Sequence, residues 1–491
     1  MRQLLLFSLL LFGSQLLTQA QETQHWCGTS TAPSKWTEDY LSNRNAFEKT
    51  NELLYVPVTI HAVGTDAGDS HISFKSVLDA FCTLNSDFRQ ANVVFYMAGN
   101  LRYINNTRFY NHTSSAVGRQ IARSNNISNT INVYVVENAA GAAGYSGDIS
   151  SDFVIINKDE IRSGNHTIAH EIGHALGLYH TFWGWEGFDH DYALNAPATV
   201  NGNRASERVD GSNCKTSGDG LCDTSPDYLN DRWACNSQSQ SNVIQRDPTG
   251  TTFRSDAKNI MSYATDNCVS IFTAEQVSVM RANLNTVKRF FITETPPLPL
   301  LDTLRINLLS PAVGASVDFS NVVLNWDALP GATDYIVDVS TAANFAIAST
   351  ETYIVNTNSL NLTNLVNSRT YYWRVKGFNA NSTCGTFSRT GRFRTTITTS
   401  TEDPADKINL EVFPNPVAVN QAVQITANLP ESMRLNVRLF DLSGKLLQAQ
   451  VYDVLAGENQ LTFTPGNLPS GIYMVNVLSD NINAVRRLII Q

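Results

Sequence analysis

The sequence predicts a multidomain protein, an α/β (α+β) domain followed by two all-β sandwich domains. Three observations carry that expectation. At 491 residues the chain exceeds what one ordinary core organises. Helical and strand periodicities interleave up to residue 292, and beyond it only short strand-like runs appear. Two linker-like stretches, Pro-rich at 293–302 and Thr/Ser/Asp-rich at 397–407, interrupt the chain where the pattern changes.

Composition sets the compartment. A formal charge of -9 and the lack of any basic block exclude a nucleic-acid binder. Residues 1–20 read as a signal peptide: Arg2 supplies the positive start, residues 4–12 are apolar except for Ser8, and Thr18-Gln19-Ala20 offers a small-residue cleavage site. The apolar run is well short of the ~20 residues a membrane span needs. No later stretch is long and apolar enough, so no transmembrane segment is expected and the mature protein should be exported and soluble.

Residues 21–51 are polar, with few apolar positions recurring at any period, and contain Cys27-Gly28-Thr29. A segment placed between a signal peptide and a folded domain reads as a pro-segment. From residue 52 the pattern changes. Leu54 to Val63 is β-rich, and Phe74, Val77, Leu78, Phe81, Leu84 and Phe88 recur at helical spacing behind Ser73, a suitable N-cap. Strand-like runs follow at 93–97, 131–136 and 153–156. The glycine-rich stretch 141–145 reads either as the rim of a cleft, where backbone pairs with an extended peptide, or as a flexible loop.

Residues 170–180 spell H-E-x-x-H-x-x-G-x-x-H. His170 and His174 lie four apart, so on a helix both imidazoles leave one face and can grip one ion. Glu171, about 100° round the helix, stands beside such an ion, placed to take a proton from a bound water. Gly177 tolerates the positive φ that lets the chain leave the helix, and His180 can return as third ligand. Three protein ligands leave a fourth position open, the arrangement of a catalytic rather than a structural zinc site.

Beyond His180 periodicity fades, and residues 182–256 read as loops. The acidic run at 218–227, with Asp219, Asp223 and Asp227, is either a Ca2+ site or a solvated loop, and its spacing is not that of an EF-hand. Thr273 with Gln276 three residues on opens another helix as a capping box. Of the seven cysteines, Cys214, Cys222, Cys235 and Cys268 cluster after the histidine motif, which suggests two bridges, and four cysteines allow three connectivities. Cys82 reads as an inert core thiol and Cys384 as belonging to a separate module. Cys27, in its polar segment, is either a thiolate ligand filling the fourth metal position, a bridge partner of Cys82, or a lone thiol. Residues 303–396 then alternate in short β runs around Trp326 and Tyr372-Trp373-Arg374-Val375, and residues 408–491 are again all-β, with Ser-Gly turns at 443–444 and 470–471.

The catalytic-type region, taken here as 52–292, resembles the pappalysin-like (cytophagalysin) branch of the metzincin zinc proteases. The resembling stretches are residues 84–89 (LNSDFR), 170–182 (HEIGHALGLYHTF), 218–226 (GDGLCDTSP) and 259–268 (NIMSYATDNC). The resemblance implies Met261 as a hydrophobic floor beneath the zinc and Tyr263 near the metal as a stabiliser of the transition state. It also implies Cys27 as a latency cysteine and bridges Cys214–Cys235 and Cys222–Cys268. An insertion of roughly thirty residues between Phe182 and Cys214 departs from the family pattern. Residues 303–396 resemble a fibronectin type III module. Residues 408–491 resemble the type IX secretion sorting domain of Bacteroidetes proteins, which implies the type IX machinery as a partner and export through the periplasm of a Gram-negative bacterium. Together these readings imply a secreted or cell-surface zinc endopeptidase acting on protein or peptide substrates through a zinc-bound water activated by Glu171. The alternative is an adhesive surface protein with an accessory protease domain, although a binding protein has no need of a general base.

Overall fold

Strand Leu54–Gly64 lies one strand in from the edge of the first sheet and is buried along almost its whole length, as a strand covered on each side must be. Val93–Met97 lies parallel to it on one side and Ile131–Val136 on the other, and Arg102–Asn105 extends the first of these edges. Phe153–Asn157 continues the parallel run, and the short Gly144–Ser146 closes the sheet antiparallel to it. The computed structural model describes residues 26–47, 50–293, 298–301, 306–396, 404–479 and 481–491. The expected signal peptide and parts of both expected linkers lie outside these residues.

Helix Phe74–Asp87 forms where the 3.6-residue period lies, and Ser73 caps it by accepting from the Ser76 amide at 3.1 Å. Val77, Leu78, Phe81 and Leu84 are buried against the sheet, each contributing roughly 1.5–3 kcal/mol of transfer free energy. Helix Ala274–Asn285 opens with the expected capping box, Thr273 and Gln276 each bonding the other's backbone. The segment expected to be a polar pro-segment is partly helical. Lys35–Ser42 is a helix whose Trp36 and Tyr40 stack 5.7 Å apart, with Phe47 packed 4.9 Å from Tyr40.

Two sheets face each other further along. One joins Leu308–Ser310, Val322–Trp326 and Ser359–Leu362, and the other joins Ala315–Asp318, Gly391–Thr396, Thr370–Phe378, Asp334–Ser340 and Thr350–Val355. Trp326, Val337, Trp373 and Phe393 fill the space between them. This sandwich belongs to the same compact unit as the α/β region. Ile336 and Phe378 join the core that Val77 and Phe81 build, and Phe74 packs 5.8 Å from Phe378. The second unit contains a three-stranded sheet, Glu411–Phe413, Val423–Leu429 and Gly457–Phe463, and a four-stranded one, Leu446–Val454, Met433–Phe440, Gly471–Leu478 and Asn483–Ile490. Pro404–Lys407, in the stretch read as linker, is a short helix with Ala405 buried in that unit's core. The whole is multidomain and mixed α/β. Among the described residues no helix is long and apolar enough to cross a membrane.

The cysteine pairing corrects the expectation. The bridges are Cys214–Cys222, Cys235–Cys268 and Cys82–Cys384, rather than Cys214–Cys235 and Cys222–Cys268. The reasons are local. Gly218 and Gly220 both have positive φ and turn the chain back, bringing Cys222 to 5.0 Å from Cys214 between Cα atoms. The backbone of Trp233 pairs with Tyr263 and Thr265, which sets Cys235 opposite Cys268. Cys82 is no inert core thiol, and Cys384 is not isolated in its module, because the sandwich packs on helix Phe74–Asp87. Cys27 is the free cysteine among the described residues, and it is buried.

Candidate metal centre

Every residue of helix Thr167–Ala175 is buried, as its apolar Ile168, Ala169, Ile172 and Ala175 require. The four-residue spacing puts His170 and His174 on one face. Gly177, at φ +96°, then turns the chain, and the Leu178 amide bonds back to the Gly173 carbonyl at 3.0 Å. That turn returns His180 to the same place. A Cβ on Gly173 would fall 2.6 Å from the Met261 sulfur, so the glycine is what lets Met261 lie directly against the helix.

The donor set fits a metal ion. His170 Nδ1 donates to the Ile260 carbonyl at 2.7 Å, His174 Nδ1 to that of Leu178 at 2.8 Å, and His180 Nδ1 to the Glu186 carboxylate at 3.0 Å. With the proton fixed on Nδ1, each Nε2 carries a lone pair. The Nε2 of His174 lies 3.2 Å from that of His170 and 3.1 Å from that of His180. Lone pairs so close repel unless a cation sits among them. Protonation is no remedy: burial holds His170 and His174 well below the usual imidazole range and His180 down to about 3. The Cys27 sulfur joins them, all four ligand atoms lying within 4.8 Å of one another. Burial, reinforced by the Glu171 carboxylate, pushes the Cys27 thiol well up, and a bound cation is what reverses such a shift.

Glu171 is buried beside this cluster, and burial pushes its carboxyl up to about 7. Its Oε2 accepts from the Thr29 hydroxyl at 2.8 Å, and Oε1 has no hydrogen-bond partner among the described residues. Tyr263 is buried with its ring 5.0 Å from that of His180, and its hydroxyl donates to the Cys27 carbonyl at 3.4 Å. Met261 is buried, with its amide held by Asn259. The structure thus brings together Cys27, His170, Glu171, His174, His180, Met261 and Tyr263.

Residues 26–47 cover the cleft. The Trp26 carbonyl accepts from Ala143 and the Gly28 amide donates to the Gly144 carbonyl, each at 2.9 Å, so the glycine-rich stretch is a paired rim rather than a loose loop. Helix Lys35–Ser42 lies over the turn at Gly177, where the Thr37 hydroxyl donates to the glycine carbonyl at 2.9 Å, and Arg44 pairs with Glu275 at 2.7 Å.

Three contributors were missed from sequence. Thr29 was seen only as part of a tripeptide, while Glu186 and Arg232 sit in loops without periodic signal. Glu186 lies in the insertion after Phe182, and its nearness to His180 in sequence was the one available hint. The acidic run is mostly occupied with structure. Asp223 accepts from the Thr273 hydroxyl and the Glu275 amide, and Asp227 from Thr181 and Ser255. Among the described residues Asp219 Oδ2 is buried without a hydrogen-bond partner, and burial together with Asp219 and Asp227 pushes nearby Glu207 up to about 9.

Three buried imidazoles converging beside a carboxylate define a metal-dependent hydrolase-type centre, and known proteins narrow the class. The chain is 24% identical over 288 residues to an extracellular metalloprotease of Neurospora crassa, covering 53% of this chain and 87% of that one. It is 26% identical over 178 residues to one of Verticillium alfalfae, covering 32% of this chain and 63% of that one. It is 30% identical over 163 residues to pappalysin-1 of Mus musculus, covering 33% of this chain and 8% of that one. Residues 411–491 match the secretion system C-terminal sorting domain. Structures resembling the chain include the fn3 domain of human collagen alpha-1(XX) chain, at 23% identity, covering 23% of this chain and 95% of that one with a TM-score of 0.15. Chicken CNTN1 FN1-FN3 domains match at 16% identity, 41% and 67% coverage and a TM-score of 0.19. The chain is therefore a relative of extracellular metalloproteases, pappalysin-1 among them, and a metal is implied at its histidine cluster. It combines the region similar to metalloproteases with a β-sandwich and a secretion sorting tail, and it is a secreted or cell-surface protein.

Proposed function

We propose that the protein is a secreted zinc-dependent endopeptidase made as a latent precursor. Residues 52–292 form its metzincin catalytic domain, 21–51 its pro-segment, 303–396 a fibronectin type III-like module and 408–491 the type IX sorting domain. The observation that carries this reading is the set of three facing Nε2 lone pairs, 3.1 and 3.2 Å apart, beside a buried carboxylate. His170, His174 and His180 would hold a zinc ion, which would act as a Lewis acid on the scissile carbonyl and would lower the pKa of a water from roughly 15.7 towards neutrality. Glu171 takes the attacking water's proton at Oε1, which has no hydrogen-bond partner among the described residues, and delivers it to the leaving amine. The Ile260 and Leu178 carbonyls and Glu186 hold the three rings in the ligating tautomer. Tyr263, against His180, is placed to donate to a developing oxyanion once the Cys27 carbonyl leaves its hydroxyl.

Calcium belongs to the same reading, at the acidic run 218–227, where Asp219 Oδ2 is buried with no hydrogen-bond partner among the described residues. A casein digestion by the activated protein, with and without chelator, tests both metals. Chelation should abolish cleavage, zinc alone should restore it, and calcium should raise the melting temperature of the chelated protein. Undiminished digestion in chelator would count against the zinc reading, and a calcium-insensitive melting temperature against the second site.

The sorting tail yields a separate expectation. Deleting residues 408–491 should leave a protease that folds and cleaves casein but accumulates in the periplasm, since the tail forms its own unit. Fractionation and immunoblotting would measure this. Normal amounts of the truncated protein in the medium would overturn the type IX assignment.

A further inference from the structure

Residues 26–28 run parallel to the rim at Gly144, bonded through the Trp26 carbonyl and the Gly28 amide, and their backbone occupies an edge with which an extended peptide can pair. Trp26 packs edge-on against two rings, His170 at 4.7 Å and Tyr263 at 5.4 Å, and the Arg232 guanidinium covers its face at 4.1 Å. From this geometry we propose that the cleft carries an aromatic-selective subsite, walled by His170 and Tyr263 and roofed by Arg232. The preferred substrates then carry Trp, Phe or Tyr within two residues of the cleaved bond. The inference rests on the peptidase reading and adds its substrate class.

The walls discriminate by chemistry. Ring edges meeting a ring face exploit the aromatic quadrupole, which an aliphatic side chain lacks. A guanidinium stacked on a face adds a cation–π attraction. Arg232 is not free to recruit an acidic side chain, because one nitrogen is paired with Asp266 at 2.8 Å and another donates to the Ala264 carbonyl. Its edges are occupied, leaving the flat face for a ring. A Lys or Arg side chain would meet a like charge there. Trp26 itself is only half-buried, so one side of its ring faces solvent.

The test uses the activated full chain and a peptide series varied among Trp, Phe, Leu, Ala, Asp and Lys at each position within two residues of the cleaved bond. At one position Trp and Phe should exceed Ala in kcat/KM by about tenfold, the scale of such aromatic and cation–π contacts. Arg232→Ala should bring the Trp-to-Ala ratio down by about fivefold, and Arg232→Lys, which keeps a cation, should retain part of it. Calorimetric binding of the same peptides to Glu171→Gln protein should give the same ranking without turnover. A flat profile, or a preference for aliphatic or charged residues at every position, would overturn the subsite. Aromatic-selective binding with no cleavage of any peptide would support the subsite and sink the peptidase reading instead.

Discussion

Glu171→Gln is expected to slow peptide hydrolysis at least 100-fold, on the order of what losing a general base costs, while metal content stays at about one zinc per chain. The two readouts separate because Glu171 touches none of the imidazoles' fixing partners: their Nδ1 protons go to Ile260, Leu178 and Glu186. Glutamine keeps the volume and can still meet the Thr29 hydroxyl, so the helix has no packing reason to move. What it loses is the carboxylate that accepts the water's proton and returns it to the leaving amine. His180→Ala should behave oppositely, lowering zinc stoichiometry, because it removes a donor. Peptide turnover and elemental analysis on the same preparations distinguish the two. Near wild-type turnover in Glu171→Gln would end the proposed mechanism.

Much of this centre was legible because its chemistry is local. Four-residue helical spacing, one glycine turn and a third histidine fall within eleven residues, and the structure assembles them as that spacing requires. The parallel strands were legible because strands covered on both faces read as short, mostly apolar, β-branched runs, as Ile131–Val136 does around its single polar Asn132. The helix over the cleft was not. Lys35–Ser42 spans about two turns, too few for a period to emerge, and its anchoring pair Trp36 and Tyr40 is a single i, i+4 contact. Disulfide pairing failed for a different reason. It depends on how loops fold back, through Gly218 and Gly220 in one case and the Trp233–Thr265 pairing in the other, and no sequence spacing encodes that. Arg232, beside Trp233, and Glu186, in the insertion after Phe182, also touch the site from loops, so their roles had to wait for the fold.

Uncleaved Cys27→Ala protein is expected to hydrolyse a fluorogenic peptide, or to become active at least tenfold faster than the wild-type precursor, a change that requires only about 1.4 kcal/mol less hold on the cleft. The wild-type precursor should be silent until it is cut between Gly28 and Leu53. Two separate grips account for the silence. The Cys27 sulfur stands with the three imidazoles, where it takes the position a water needs, and the Thr29 hydroxyl engages Glu171 at 2.8 Å. The rim pairing and the docked helix Lys35–Ser42 hold both in place, since neither Trp26 nor Gly28 can leave without losing its bond to residues 143 and 144. Removing the sulfur leaves Thr29 and the helix, so Cys27→Ala should be partly active and Cys27→Ala/Thr29→Ala more so. The measurement is initial rate on protein shown to be intact by electrophoresis. If both variants stay as silent as the precursor, neither side chain is the switch, and the steric cover of residues 26–47 alone accounts for latency.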